Sequence, residues 1–242
     1  TRAPRQADAG LGSSARPPRP TGGQIDITGA RIALQGALLD ASGDGGGGQI
    51  RVGGGFAGQG PLPHAMTVST DTDTRILADA LTRGDGGRIA LWSDLRSDIA
   101  GNLSARGGAQ GGDGGFVEAS SAGSVRYRGL ADLRAPVGDW GDLLIDPTDI
   151  SVPGTITEAV VEEALARGSL ILDTSEREDS LPGNITLSAD IDWTAPTTFT
   201  LLADNDITIS GAINGRNGGL SLSAEGDIDV TGAVNVDTFR LQ

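Results

Sequence analysis

Few residues in this 242-residue chain can carry chemistry. It holds one histidine, His64, and no cysteine, so zinc sites and thiol nucleophiles are excluded and a Ser-His-Asp triad could be built only around His64. That histidine lies in a proline-bounded stretch, Pro61-Leu62-Pro63-His64-Ala65, with no nucleophile motif beside it. Paired carboxylates are the stronger enzymatic option, because sites that cleave polysaccharides need two or three acids on one face. Asp71 with Asp73, and Asp190 with Asp192, have the spacing that puts both side chains on one side of a strand. Such pairs also arise by chance in a chain with 32 acidic residues.

Three other features invite a binding reading. Gly43-Asp44-Gly45-Gly46, Gly84-Asp85-Gly86-Gly87 and Gly112-Asp113-Gly114-Gly115 are aspartate-bearing corners that could offer oxygens to calcium. The tandem nonapeptide repeat of calcium β-rolls is absent, and one aspartate per corner argues for turn formation, with glycine supplying positive φ and aspartate capping its own turn. No cofactor is expected. Arg83-Gly84-Asp85 spells the tripeptide that integrins recognise, but it also coincides with one of those corners. Trp92, Trp140 and Trp193 could stack on sugar rings, or could cover the edge of a core. The Asp146-Pro147 bond is acid-labile and also fits a tight turn.

Composition narrows the classes further. All 18 basic residues are arginine, and against 32 acids they leave a net charge of −14, a balance that repels phosphate backbones and argues against nucleic acid as a partner. No apolar run reaches the ~20 residues of a membrane span, and the N-terminus lacks the apolar core of a signal peptide. Thirty-nine glycines, three Trp, one Tyr and four Phe describe many short turns around small or aliphatic core residues.

Residues 1–21 carry Arg2, Arg5, Arg16 and Arg19 among prolines and read as a disordered basic tail. From 22 to 142, short alternating strands follow glycine-rich corners: Ile25 and Ile27, Ile32 and Leu34, Ile50 and Val52, Ile89 to Trp92, Ile99 and Leu103, Phe116 and Val117. A loop insertion is expected over 53–74. From 143 to 242 the strands become more regular, at 170–172, 185–187, 199–202, 207–209, 220–222, 228–230 and 239–241. Thr155 and Glu158 form a capping box that opens a short helix over 156–167, closed by Gly168. The self-similarity indicates an all-β solenoid of ~20 to 25 residues per coil, each coil needing a neighbour to bury its apolar face. A sandwich or barrel is the alternative.

Leu143-Leu144-Ile145-Asp146-Pro147-Thr148-Asp149-Ile150 joins the two parts. Leu143 and Ile145 are expected to point inward, while Asp146, Pro147 and Thr148 hold a turn. Together with the Gly-Asp-Gly-Gly corners, Trp92-Ser93, Arg106-Gly107-Gly108 and Gly111 to Glu118, in this order, the phrase resembles filamentous-haemagglutinin-like large exoproteins over roughly residues 22–242. The resemblance implies an internal or C-terminal segment of a two-partner secretion adhesin. Such a segment would be a right-handed parallel β-helix, exported by an outer-membrane transporter through a region not evident here, and secreted or held on the bacterial surface. It would act without catalysis, as a rigid stalk or as a surface for a host-cell, bacterial-surface or glycan receptor. The rival readings are a β-helical polysaccharide-degrading enzyme and a scaffold that presents a downstream toxin domain. His64 departs from the family pattern, where asparagine is expected, and the proline-rich opening matches nothing in it.

Overall fold

Short strands with one or two inward aliphatic residues cannot bury them alone, and the chain resolves this by stacking. The computed structural model describes residues 19–175 and 183–242. The expected tail lies outside the described residues up to position 18. The first coil is β1 (Gln24–Ile27), β2 (Arg31–Leu34) and β3 (Leu38–Asp40), and the second is β4 (Gln49–Val52), β5 (Thr67–Thr70) and β6 (Arg75–Leu77). The third holds β7 (Arg88–Ser93), β8 (Arg96–Ile99) and β9 (Asn102–Ser104), and the fourth β10 (Phe116–Ser121), β11 (Ser124–Tyr127) and β12 (Leu130–Asp132). The fifth has β13 (Asp142–Asp146), β14 (Ile150–Val152) and the helix α1 (Glu158–Leu165). Then follow β15 (Ser169–Asp173), β16 (Ile185–Leu187), β17 (Ile191–Trp193), β18 (Thr198–Ala203), β19 (Ile207–Ile209), β20 (Ile213–Ala224), β21 (Ile228–Val230) and β22 (Val234–Leu241). Every pairing between them is parallel, an all-β repeating architecture of the solenoid type.

Strands of successive coils stack into three faces. On the first, a sheet runs from β1 through β4, β7, β10, β13, β15 and β18 to the later half of β20, and β22 pairs with β20 beyond it. Its inward positions form two apolar ladders, aliphatic except for Phe199. One is Ile50, Ile89, Val117, Leu143, Leu170, Phe199 and Leu220, and the other is Val52, Leu91, Ala119, Ile145, Leu172, Leu201 and Leu222. Leu143 and Ile145 are 1% and 0% exposed, so both sit in the ladder. Asp146 and Pro147 are buried at the end of β13, and Thr148 Oγ1 donates to the Gly123 carbonyl at 2.8 Å, tying the turn to the coil before.

The other two faces restart at this turn. The second-face sheet β2-β5-β8-β11 ends, and a new one, β14-β16-β19-β21, begins. The third-face sheet β3-β6-β9-β12 ends where α1 takes the place of a strand. The joining stretch is therefore continuous on one face and discontinuous on two.

Several expectations need correction. The excursion from the coil is shorter than 53–74, because Thr67–Thr70 is strand β5, with Val68 and Thr70 buried. Thr155 does not cap α1. Thr157 holds the N-cap position with extended φ/ψ and no side-chain bond, while Thr155 Oγ1 accepts from Ser151 N–H at 3.2 Å. Ala166, not Gly168, closes the helix. Val161, Ala164 and Leu165 bury its inner side, and Glu158 in the first turn complements its dipole.

The glycine corners also differ from their sequence appearance. Pairing of Gln49 with Arg88 and of Arg88 with Phe116 aligns Gly47 and Gly48 with Gly86-Gly87 and Gly114-Gly115, so Gly43-Asp44-Gly45-Gly46 is out of register with the other two phrases. Close approach accounts for most of these glycines. A Cβ on Gly48, Gly87, Gly115 or Gly141 would lie 2.0, 2.1, 2.0 or 1.9 Å from the carbonyl oxygen of Gly23, Gly48, Gly87 or Gly115 one coil away. Nor does aspartate cap its own turn: Asp85 Oδ1 accepts the Asp113 N–H, and Asp113 Oδ1 accepts the Asp139 N–H.

Candidate functional site

The sequence-level candidates do not converge. His64 Nδ1 lies 3.0 Å from Asp94 Oδ1, half of a triad, but its Nε2 donates to the Gly58 carbonyl at 2.8 Å, so the nitrogen that would serve a nucleophile is taken. The arrangement belongs to a strap over residues 53–66 that crosses the outside of the first face. The Arg88 guanidinium sits 4.0 Å from the centroid of Phe56 in a cation–π contact, and the Ala57 N–H donates to the buried Glu118 at 2.8 Å. The His64 ring lies 5.8 Å from that of Trp92, which packs beneath Gly54 and Gly58.

Of the two carboxylate pairs only Asp192 lies on a strand, on the outward side of β17. Asp71 and Asp73 lie in the turn after β5. Asp71 accepts the Gly36 N–H at 3.0 Å and the Thr74 hydroxyl at 2.8 Å, and these bonds hold its carboxyl below the usual range. Asp190 precedes β17 and accepts the Ala212 N–H at 2.7 Å. Asp192 instead faces Glu162 and Glu163 of α1 in an open groove of about 520 Å³, where Glu162 Oε1 accepts the Asp192 N–H at 3.0 Å. No group of three His, Asp or Glu at metal-binding distance occurs among the described residues.

Arg83 and Asp85 are exposed, as an adhesive tripeptide requires. Gly84 has φ +108°, and a Cβ there would meet the Gly45 carbonyl at 2.4 Å. Its conformation is thus set by coil stacking, and the Asp85 carboxylate already serves the next coil. Trp193 is 4% exposed, with its Nε1 donating to the Thr197 carbonyl, and so presents no open indole face to a sugar.

A different constellation lies on the third face. Arg106 follows β9 by two residues and Arg134 follows β12 by two. Backbone bonds from Gly107 N–H to Arg134 O and from Leu133 N–H to Arg167 O place Arg106, Arg134 and Arg167 on three successive coils, about 4.8 Å apart in the stacking direction. Their side chains are 45%, 39% and 32% exposed. Asp132 lies against all three: Arg134 is bidentate at 2.8 and 2.7 Å, while Arg106 and Arg167 reach it only at 3.8 and 4.0 Å, and Arg167 donates instead to Glu163 of α1. Burial alone would raise the Asp132 carboxyl, but the hydrogen bonds and charge of Arg134 outweigh it and hold the group ionised below the usual range.

No family model matches this chain. No protein of curated function matches it significantly either.

The arginine ladder borders an open groove of about 450 Å³ lined by Arg75, Asn102, Arg106, Leu130, Asp132 and Arg167 among others. A second cavity of about 190 Å³ adjoins it, sharing Asp79 and Arg106 and continuing past Leu81 and Pro136. None of these arginines stands out in local sequence. The available signal is a weak repeat of third-face segments, Arg75-Ile-Leu-Ala-Asp79, Asn102-Leu-Ser-Ala-Arg106 and Leu130-Ala-Asp-Leu-Arg134, visible once strands are aligned by register.

Proposed function

We propose that this chain is a structural and adhesive segment of a secreted bacterial exoprotein of the filamentous-haemagglutinin type. Its coils wind right-handed, and its work is done by rigidity and by an exposed side-chain surface rather than by a chemical step. The observation that supports this best is the first-face sheet, whose apolar ladders continue in register from Ile50 to Leu220 and from Val52 to Leu222. A cross-section of this kind resists bending and repeats the same outward positions coil after coil. The carboxylates that an enzyme would use at Asp71 and Asp190 are occupied in bonding backbone N–H groups of neighbouring turns, which favours scaffold over catalyst.

The test is adhesion. Beads coated with the folded chain should attach to epithelial monolayers or bacterial cells more than beads coated with the urea-unfolded chain, and equal attachment would sink the reading. In parallel, acidic glycans incubated with the protein should release no reducing ends. Turnover that disappears in Asp71→Ala or Asp190→Ala would replace the scaffold with a polysaccharide-degrading enzyme.

A further inference from the structure

On a chain of net charge −14, the third-face groove is an exception in which arginines outnumber acids. The two carboxylates lining it are already committed. Asp79 Oδ1 accepts from the Ser104 hydroxyl at 2.6 Å and from the Arg106 N–H at 2.8 Å, and both oxygens of Asp132 accept from the bidentate fork of Arg134. Arg75 pairs with no carboxylate among the described residues, and Arg106 makes only its long contact to Asp132. A guanidinium carries five donors, so Arg75 and Arg106 retain most of theirs for a ligand. Between and beside these charges the groove is aliphatic: Leu130 is 41% exposed, and Leu81, in the adjoining cavity, 59%.

We propose that this groove binds an extended acidic peptide, with glutamate or aspartate side chains bridging Arg75 and Arg106 and aliphatic side chains resting on Leu130 and Leu81, while Arg167, paired with Glu163 of α1, borders the site. The inference rests on the adhesive reading and names the chemistry of one partner for it. Guanidinium forks match carboxylates in bidentate geometry, and Arg75 and Arg106 present theirs from two successive coils. Other polyanions fit less well. No aromatic ring lines either cavity among the described residues, which leaves neither a platform for sugar rings nor one for bases, and the overall charge opposes a phosphate backbone.

A fluorescein-labelled peptide of alternating glutamate and leucine, titrated with the full chain and followed by fluorescence anisotropy, tests this. Binding should saturate, weaken as salt is added, and fall by about tenfold in Arg75→Gln and again in Arg106→Gln, each costing a charge-assisted hydrogen bond. Arg216→Gln, outside the groove, should bind as the parent does. Because the Arg75 side chain pairs with no carboxylate among the described residues, its variant should unfold at the parent's urea midpoint, which separates lost binding from lost structure. The proposal is overturned by no binding at millimolar protein, by equal binding of a lysine-leucine peptide, or by affinity unchanged in both arginine variants. It is also overturned by tighter binding of sulfated dextran or of a single-stranded oligonucleotide. Failure of bead adhesion with peptide binding intact would remove the adhesive reading and leave the groove. Adhesion that persists without peptide binding would do the reverse.

Discussion

Asp85 Oδ1 accepts the backbone N–H of Asp113 at 2.9 Å, and Asp113 repeats the act one coil on, toward Asp139, at the same distance. Aspartate here is a staple between coils. It follows that Asp113→Ala leaves the Asp139 N–H dependent on water and should lower stability by about 1 kcal/mol, whereas Asp113→Asn, which keeps an acceptor oxygen, should lose less. Urea denaturation of the two variants against the parent checks both the direction and the order. Equal losses would assign the effect to charge instead of to the bond.

Stacking also dictates where side chains are forbidden. A Cβ on Gly115 would sit 2.0 Å from the Gly87 carbonyl oxygen, while one on Gly23 meets nothing within 4 Å. Gly115→Ala must therefore pry two coils apart or move the backbone, and should cost at least about 3 kcal/mol, comparable to severe overpacking. Gly23→Ala, with ordinary φ and open space, should change stability by less than about 0.5 kcal/mol. Thermal unfolding of the pair separates a steric role from a purely conformational one, since an entropic effect of alanine would favour both variants.

How far these features can be read from sequence depends on the face. First-face strands such as Arg88–Ser93 and Thr198–Ala203 carry inward apolar residues in alternation, Ile89 with Leu91 and Phe199 with Leu201, a pattern strong enough to detect. Third-face strands Arg75–Leu77 and Leu130–Asp132 bury a single central residue each, and Leu38–Asp40 only half-buries Leu39, too little for any periodicity. Ser124–Tyr127 is hidden for a related reason, since its outward serine and arginine leave only Val125 and Tyr127 as signal. The arginine groove was illegible because its members share a face only after those weak strands are paired. The corner at Asp44 misled in the opposite way: identical phrases suggested equivalence that strand register does not honour.

Tyr127 is the largest polar oddity of the core. The residue is 1% exposed and its hydroxyl finds no partner in the described structure. Removing that hydroxyl should therefore be neutral or stabilising by about 1 kcal/mol in Tyr127→Phe, against a loss of about 3 to 5 kcal/mol in Tyr127→Ala. Burial pushes the phenol well above its ordinary range. With the folded value raised, the contribution is full below the ordinary phenol value of about 10 and is lost as pH climbs from there toward the raised one. Alkaline denaturation should accordingly begin at higher pH in Tyr127→Phe than in the parent. Identical alkaline profiles would contradict a buried, un-ionised phenol.

Backbone bonds from Gly53 N–H to Ile27 O and from Met66 N–H to Ala30 O fix the two ends of the strap over 53–66, and His64 with Asp94 is the side-chain attachment beside its C-terminal end. Gly58 lies within the strap, so the Nε2 bond closes the loop on itself, while the Nδ1 contact reaches across to the coil. Asp94→Asn should therefore weaken docking without touching the loop's internal bond, and His64→Ala should lose both. Neither side chain belongs to the inward ladders, so the core should unfold at nearly the parent's midpoint, within the small range typical of surface changes. Amide hydrogen exchange resolves the difference. Protection should fall across residues 53–66, more in His64→Ala than in Asp94→Asn, and the Trp92 indole beneath should become accessible to an aqueous quencher, while β7 and β10 keep their protection. Loss of protection spreading into Ile89 and Val117 would show instead that the strap supports the coils it covers.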